Sequence, residues 1–410
     1  MVTYPLDWKE CCLNDVIKIK RGASPRPIDS YLTLSSSGVN WIKIGDAPQN
    51  GKYIVSTAEK ITKGGANHSV RVYQGDFILS NSMSFGRPYL LGIDGCIHDG
   101  WLTLYDFQDE VDKDFLYYLL SSPVVKEQYA SFAAGSGVQN LNKEVVKKVQ
   151  VLLPSLPEQQ SIASILSDFD EHIDNLTKLI EKKKAIRDGA LEDLVNGKSR
   201  LDGFDGEWEE KTLEDICIPN GLVRGPFGGS LKKDMFVRQG NKVYEQRNAI
   251  YKSVKIGNYY VADEKYYELS RFAVKANDFI VSCSGTIGKI YRIPKNHPKG
   301  IINQALLKIT IDVNKCDLDY FYKYFVWDKF QHEIIDNTQG GAMKNLVGMD
   351  VFRNSLIRMP KDIAEQQAIA SVLTAMDEEI EALEVEKAKM VGIREGAMVD
   401  LLTGRVRLKV

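Results

Sequence analysis

Apolar residues recur at intervals of three and four along two long stretches of the chain, and gather in short runs elsewhere. After Pro154 and Pro157 the apolar positions are Ile162, Ile165, Leu166, Phe169, Ile173, Leu176, Ile180, Ile186, Leu191 and Leu194. After Pro360 they are Ile369, Val372, Leu373, Met376, Ile380, Leu383, Met390, Ile393, Met398 and Leu401. Each series predicts one stripe on a long helix that starts at the proline signal and stops at Gly197 or Gly404. A helix of this kind spans about 39 residues, or about 58 Å at 1.5 Å per residue. Residues 1–153 and 201–359 instead show short β-like runs at 41–44, 77–80, 279–282 and 305–311, punctuated by glycine, asparagine and proline. Helical spacing is also visible over 113–132 and 318–336.

The pattern is duplicated. Glu158-Gln159-Gln160 recurs as Glu365-Gln366-Gln367, and from there to Leu201 and Leu408 the two copies align without a gap, 21 of 44 positions being identical. Trp8 matches Trp208, Asp76-Phe77-Ile78 matches Asp278-Phe279-Ile280, and Gly135 with Asn140-Leu141 matches Gly340 with Asn345-Leu346. A repeat of this length dictates the architecture. The expectation is an α+β chain with an internal pseudo-two-fold repeat: a mixed α/β domain over 1–153, a central helix over 154–200, a second mixed α/β domain over 201–359, and a C-terminal helix over 360–410. A single-striped helix this long is unstable alone in water. Its expected partner is its own repeat, packed antiparallel as a coiled-coil-like spacer through Ile162, Leu166, Phe169, Ile173 and Leu176 against Ile369, Leu373, Met376, Ile380 and Leu383. The alternative is that each helix lies on its own domain core.

Composition adds a constraint on partners. The 410 residues carry a net charge of −2, but the charge is segregated. Residues 16–91 hold 10 Lys and Arg against 4 Asp and Glu, and residues 218–261 hold 8 against 2. A locally basic face on a neutral protein suffices for DNA, although ordinary solvated surface gives the same count. No apolar run has the length of a membrane span and nothing resembles an export signal, so the expected location is the cytoplasm. The six cysteines show no metal-ligand spacing.

Catalytic motifs are not evident. Gly197-Lys198-Ser199 lacks the glycine a phosphate-binding loop needs five residues earlier, where Glu192 stands. No Gly-x-Gly-x-x-Gly and no Asn/Asp-Pro-Pro-Tyr/Phe is present, and the five histidines are scattered. Two aligned loops, 81–87 and 283–289, each follow an expected strand, carry small hydroxyl residues, and end in glycine plus a cation. Ser84 and Arg87 in the first, and Thr286 and Lys289 in the second, form plausible phosphate contacts; a tight strand–strand turn is the simpler reading. Lys20, Arg21, Arg26 and Lys43 in the first copy, and Arg224, Lys232, Lys233, Gln246, Arg247 and Lys252 in the second, complete the candidate DNA-binding set. Cations anchor phosphates, while Arg and Gln read base edges.

The order of parts resembles the specificity subunit of Type I restriction–modification systems. Pro154-x-x-Pro157-Glu158-Gln159-Gln160-x-Ile162-Ala163-x-x-Leu166 followed by Asp170-x-x-Ile173 carries the likeness, and it is repeated from Pro360 to Ile380. The resemblance implies two target recognition domains, each reading half of an asymmetric bipartite site in double-stranded DNA, and spacer helices that dock two methyltransferase subunits. It implies no catalysis and no cofactor on this chain, with S-adenosylmethionine, ATP and Mg2+ on the methyltransferase and motor–nuclease subunits. Two other classes remain: a protein–protein scaffold with a coiled-coil rod and two peptide-binding ends, and a standalone nuclease or methyltransferase, which the missing motifs disfavour.

Overall fold

The computed structural model describes residues 5, 7–49, 51–81, 86–134, 141–336, 345–346 and 348–408. The chain divides into two compact units, Met1–Lys178 with Val385–Val410, and Leu179–Glu384.

In the first unit, β1 (Lys9–Cys12), β2 (Lys18–Arg21), β3 (Val39–Ile42), β4 (Tyr53–Ile54), β5 (Glu59–Ile61), β6 (Val70–Val72), β7 (Phe77–Ser80), β8 (Pro88–Leu91), β9 (Gly95–Ile97), β10 (Trp101–Tyr105) and β11 (Gln150–Leu153) form three sheets. Their orders are β1-β11, β2-β10-β7-β8-β4 and β5-β3-β9-β6. The second unit repeats the plan with β12 (Trp208–Thr212), β13 (Cys217–Arg224), β14 (Asn241–Tyr244), β15 (Tyr260–Val261), β16 (Phe279–Ser282), β17 (Ile290–Arg292), β18 (Gly300–Ile302) and β19 (Leu306–Ile311). A short ribbon of β20 (Ile335–Asp336) and β21 (Asn345–Leu346) precedes β22 (Leu356–Pro360). The corresponding sheets run β12-β22, β13-β19-β16-β17 and β15-β14-β18. Even the one parallel pairing inside the smaller sheet recurs, β3 with β9 and β14 with β18.

The unbroken apolar runs at 77–80 and 279–282 follow from burial on both faces. Phe77 and Leu79 face the main core while Ile78 joins a second cluster with Ile42, Tyr89 and Trp101. Phe279 and Val281 are split from Ile280 in the same way. Two expectations need correction. The helix read over 113–132 is two helices, Lys113–Ser121 and Pro123–Ala134, because Pro123 cannot extend the first and starts the second. The stretch 318–336 likewise splits into Leu318–Val326 and Asp328–Ile334, with Trp327 extended between them at φ −65°, ψ 128°.

The long helices run Leu156–Val195 and Ile363–Leu402. Gly197 and Gly404 follow them with φ of +72° and +71°, the left-handed stop. Within the first unit, Asp170 receives Arg394 at 3.0 Å and His172 lies 3.9 Å from Glu386, so the segments run antiparallel. Within the second, Arg187 reaches Asp377 at 2.8 Å and Lys183 reaches Glu379 at 2.6 Å, again antiparallel.

The apolar stripe does not serve one purpose along its length. Ile162 and Leu166 sit in the first unit's core with Phe77 and Phe115, together with Met398, Leu401 and Leu402 from the end of the second long helix. Ile369 and Leu373 sit in the second unit's core with Phe279 and Phe321, together with Leu194 and Val195. Leu176 and Ile380 are buried, while Phe169, Ile173, Met376 and Leu383 are half-buried. Ile186 and Ile393, equivalent positions in the repeat, are 49% and 43% exposed. A three-and-four spacing shows that one face is covered, but not by what. The helix starts are covered by domain core, so the reading in which each helix lies on a core holds there beside the paired-helix reading.

Candidate nucleic-acid interface

The duplicated Glu-Gln-Gln is a joint. Glu365, wholly buried, takes Arg200 through both oxygens at 3.0 and 2.7 Å, and Trp208 Nε1 donates to it at 3.3 Å. Gln366 accepts from the Asp317 amide at 2.8 Å and donates to the Pro360 carbonyl at 2.8 Å. Asp317 in turn caps helix Leu318–Val326. The first copy reproduces the arginine clamp and the glutamine contacts but not the indole bond, since Trp8 Nε1 is buried with no partner among the described residues. Glu158 takes Arg407 at 2.7 and 2.9 Å, Gln159 accepts from the Asp112 amide at 2.8 Å, and Asp112 caps Lys113–Ser121. The matched tryptophans lie at the joint: a side chain at Gly197 would meet the Trp208 ring at 3.1 Å, and one at Gly404 would meet Pro5 at 2.4 Å and the Trp8 ring at 3.5 Å. These residues fix helix to domain, which explains their repetition without any chemistry.

The candidate DNA contacts lie on loops and strand ends. Lys20 and Arg21 are exposed on β2, and Arg21 Nε donates to the Asp99 carbonyl at 2.9 Å. Arg26, highly exposed, lies 3.6 Å from the Asp99 carboxylate. Lys43 is paired with Glu59, and Arg87 lies over the Tyr89 ring at 5.2 Å. Ser84 lies outside the described residues. Arg26, Lys43 and Asp99, with Trp41, line an open cavity of about 800 Å3.

In the second unit, Arg224 is half-buried beside Phe227, and its Nε has no partner among the described residues. Lys232 and Lys233 are exposed and make no ion pair among the described residues. Gln246 accepts from Ser284 at 3.2 Å, which ties the short helix Gln246–Ile250 to the loop 283–289. Arg247, Thr286 and Lys289 are exposed there, while Lys252 donates to the Tyr322 hydroxyl at 2.8 Å. The loop 283–289 is a β16–β17 hairpin tip with left-handed Gly285 and Gly288, so the tight-turn reading describes its backbone. Ser284 and Thr286 are exposed on it, the Ser284 hydroxyl being the one that donates to Gln246.

Folding thins the basic surplus seen in sequence. Lys18 pairs with Asp106 and Lys52 with Asp114, acids distant in sequence. Lys242 is buried, donates to the Gly257 carbonyl at 3.0 Å, and has its pKa lowered by that burial.

Sequence reasoning missed one pair of turns. His98-Asp99 follows β9, and Asn303-Gln304 follows β18, in matching backbone settings. The His98 amide bonds to Ile42 and the Asn303 amide to Tyr244; Gly22 bonds to Trp101 and Gly225 to Leu306. Gly22 and Gly225 press so close that a Cβ would lie 2.1 Å from the His98 oxygen and 1.8 Å from that of Asn303. The repeated Arg-Gly pairs, Arg21-Gly22 and Arg224-Gly225, were the available signal.

The model of the Type I restriction modification DNA specificity domain matches residues 5–185 and again 205–390. The chain belongs to that family. It is 25% identical to the Type I restriction enzyme MjaVIII specificity subunit of Methanocaldococcus jannaschii, over 99% of this chain and 94% of that one. It is 26% identical to the putative MjaX specificity subunit of the same organism, over 99% and 95%. Among solved structures, a chain from work on complex assembly and conformational transition of the type I R-M system superposes with a TM-score of 0.67 at 14% identity, covering 98% of this chain and 100% of that one. The S subunit from M. genitalium gives 0.55 at 16% identity, covering 98% of each. The structural likenesses show the fold. The expected two-domain α+β architecture with paired long helices is that fold, and the chain is a specificity subunit of the Type I restriction–modification class. Among the described residues, no helix is long and apolar enough to cross a membrane.

Proposed function

We propose that each unit's two-sheet domain reads one half of an asymmetric bipartite DNA site, and that the long helices dock two methyltransferase subunits. The chain itself performs no chemistry; S-adenosylmethionine, ATP and Mg2+ act on the methyltransferase and motor–nuclease subunits. The observation carrying this reading is a scaffold built twice, with the same order over the strands both units share but different turn side chains, as in His98-Asp99 against Asn303-Gln304. A repeated frame with unlike tips suits two related grips for two unlike sequences. Ile186 and Ile393 support docking, being about half-exposed isoleucines at equivalent places on helices whose other apolar positions are mostly covered. Helix length then sets how many unread base pairs separate the half-sites, about 60 Å for 40 residues.

Exchange of residues 201–359 for the matching domain of another family member is expected to change one half of the methylated motif and leave the other. A change in both halves would end the modular reading. A scaffold that binds peptides instead would give no sequence-specific gel shift when combined with its methyltransferase subunits.

A further inference from the structure

We infer that the turns 98–101 and 303–306 are specificity-determining elements, with Arg21 reading guanine in the first unit and Gln304 reading adenine in the second. The inference rests on the proposed DNA-reading function and names residues for it.

The two turns share a backbone and differ in what they hold. In both, the first side chain accepts from the amide two residues on: His98 Nδ1 from Gly100 at 2.9 Å, and Asn303 Oδ1 from Ala305 at 3.0 Å. In both, the hairpin loop hangs from the same carbonyl, Asn81 donating to Gly100 and Cys283 to Ala305 at 2.9 Å. At the second position the copies diverge: Asp99 is half-buried and Gln304 exposed.

Asp99 collects donors from three segments. Its carboxylate accepts from Ser24 Oγ at 2.8 Å and lies 3.0 Å from His98 Nε2 and 3.6 Å from the Arg26 guanidinium. Its carbonyl accepts from Arg21 Nε at 2.9 Å and Asn81 Nδ2 at 3.0 Å. Burial pushes the carboxyl pKa up, but the Ser24 hydroxyl and the nearby Arg21 and Arg26 charges outweigh it and hold the value below normal. Arg21 is thus fixed through Nε, while both terminal nitrogens have no partner among the described residues. A guanidinium held from behind with two parallel donors free matches guanine O6 and N7. The acceptor that holds it is the Asp99 main-chain carbonyl, on a turn anchored by the bond between Ser24 and the Asp99 carboxylate. In the second unit no acid occupies the turn. Gln304 is exposed and makes no hydrogen bond among the described residues, leaving the paired donor and acceptor that match adenine N7 and N6.

The test is methylation-motif sequencing with the complete methyltransferase complex, beside a salt titration of binding. Arg21→Lys is expected to relax one guanine in one half-site, with discrimination falling about tenfold or more, because an ammonium lacks the planar fork of two parallel donors. Gln304→Glu is expected to move one adenine in the other half-site toward cytosine, because a carboxylate accepts from cytosine N4 but cannot donate. Gln304 is exposed, so this variant tests the inference even if an Arg21 variant folds poorly. Weaker binding to all sequences, with an unchanged motif and a flatter salt dependence, would assign Arg21 to phosphate and overturn the inference. A wild-type complex that yields no motif would instead sink the underlying function.

Discussion

Replacing Arg200 with leucine isolates the joint that ties the second long helix to its domain. The variant leaves the Glu365 carboxylate, 1% exposed, with only the Trp208 indole at 3.3 Å. Stranding a buried charge costs about 3–5 kcal/mol; Arg200 is 28% exposed and water can reach the gap, so about 3 kcal/mol is the working figure. For a folding unit of about 200 residues, that lowers the melting midpoint by roughly 6–12 °C. Glu365→Leu is milder, about 1–2 kcal/mol, because the freed arginine keeps the Gly206 carbonyl and turns to solvent. With both residues leucine no charge is stranded, and the loss returns to about the level of Glu365→Leu alone. The cycle therefore predicts a coupling of about 2–3 kcal/mol. Urea unfolding of all four proteins, followed by tryptophan fluorescence, measures it. Single-variant losses that simply add to within about 0.5 kcal/mol would refute the joint.

Three further outcomes follow from the same structure. Lys232→Gln with Lys233→Gln should weaken binding to every DNA sequence alike and reduce the slope of log affinity against log salt by about 2, read by titration from low to high salt. Gly225→Ala should destabilise by about 1–3 kcal/mol, since its Cβ would lie 1.8 Å from the Asn303 oxygen; an unshifted thermal midpoint would show that the strand end yields freely. Four residues inserted in the helix Leu156–Val195 add about 6 Å and should lengthen the unread gap by one or two base pairs; an unchanged motif would count against helix length as the ruler.

The sequence exposed the architecture where periodicity and repetition do the same work as packing. Phe77-Ile78-Leu79-Ser80 reads as a strand because both faces are buried, and Gly197 and Gly404 mark helix ends because few other residues tolerate a positive φ there. It hid whatever depends on partners distant along the chain. The purpose of Glu365 is invisible without Arg200 and Trp208, 165 and 157 residues away. Lys43 reads in sequence as a cation for DNA, and only the fold brings Glu59 against it. His98 looked like one of five scattered histidines, and only the crowding of Gly22 against its carbonyl reveals the turn it shapes. Ile186 and Ile393 sit in register with the stripe yet remain about half-exposed, because spacing cannot name what covers a face.

Genome-wide detection of methyladenine, in a host given the methyltransferase subunits with and without this chain, tests the central claim most directly. The account predicts one asymmetric motif of two short halves around an unread gap, appearing only when the chain is present. Methylation that is absent with the chain, or identical without it, would contradict the assignment of sequence reading to these two domains.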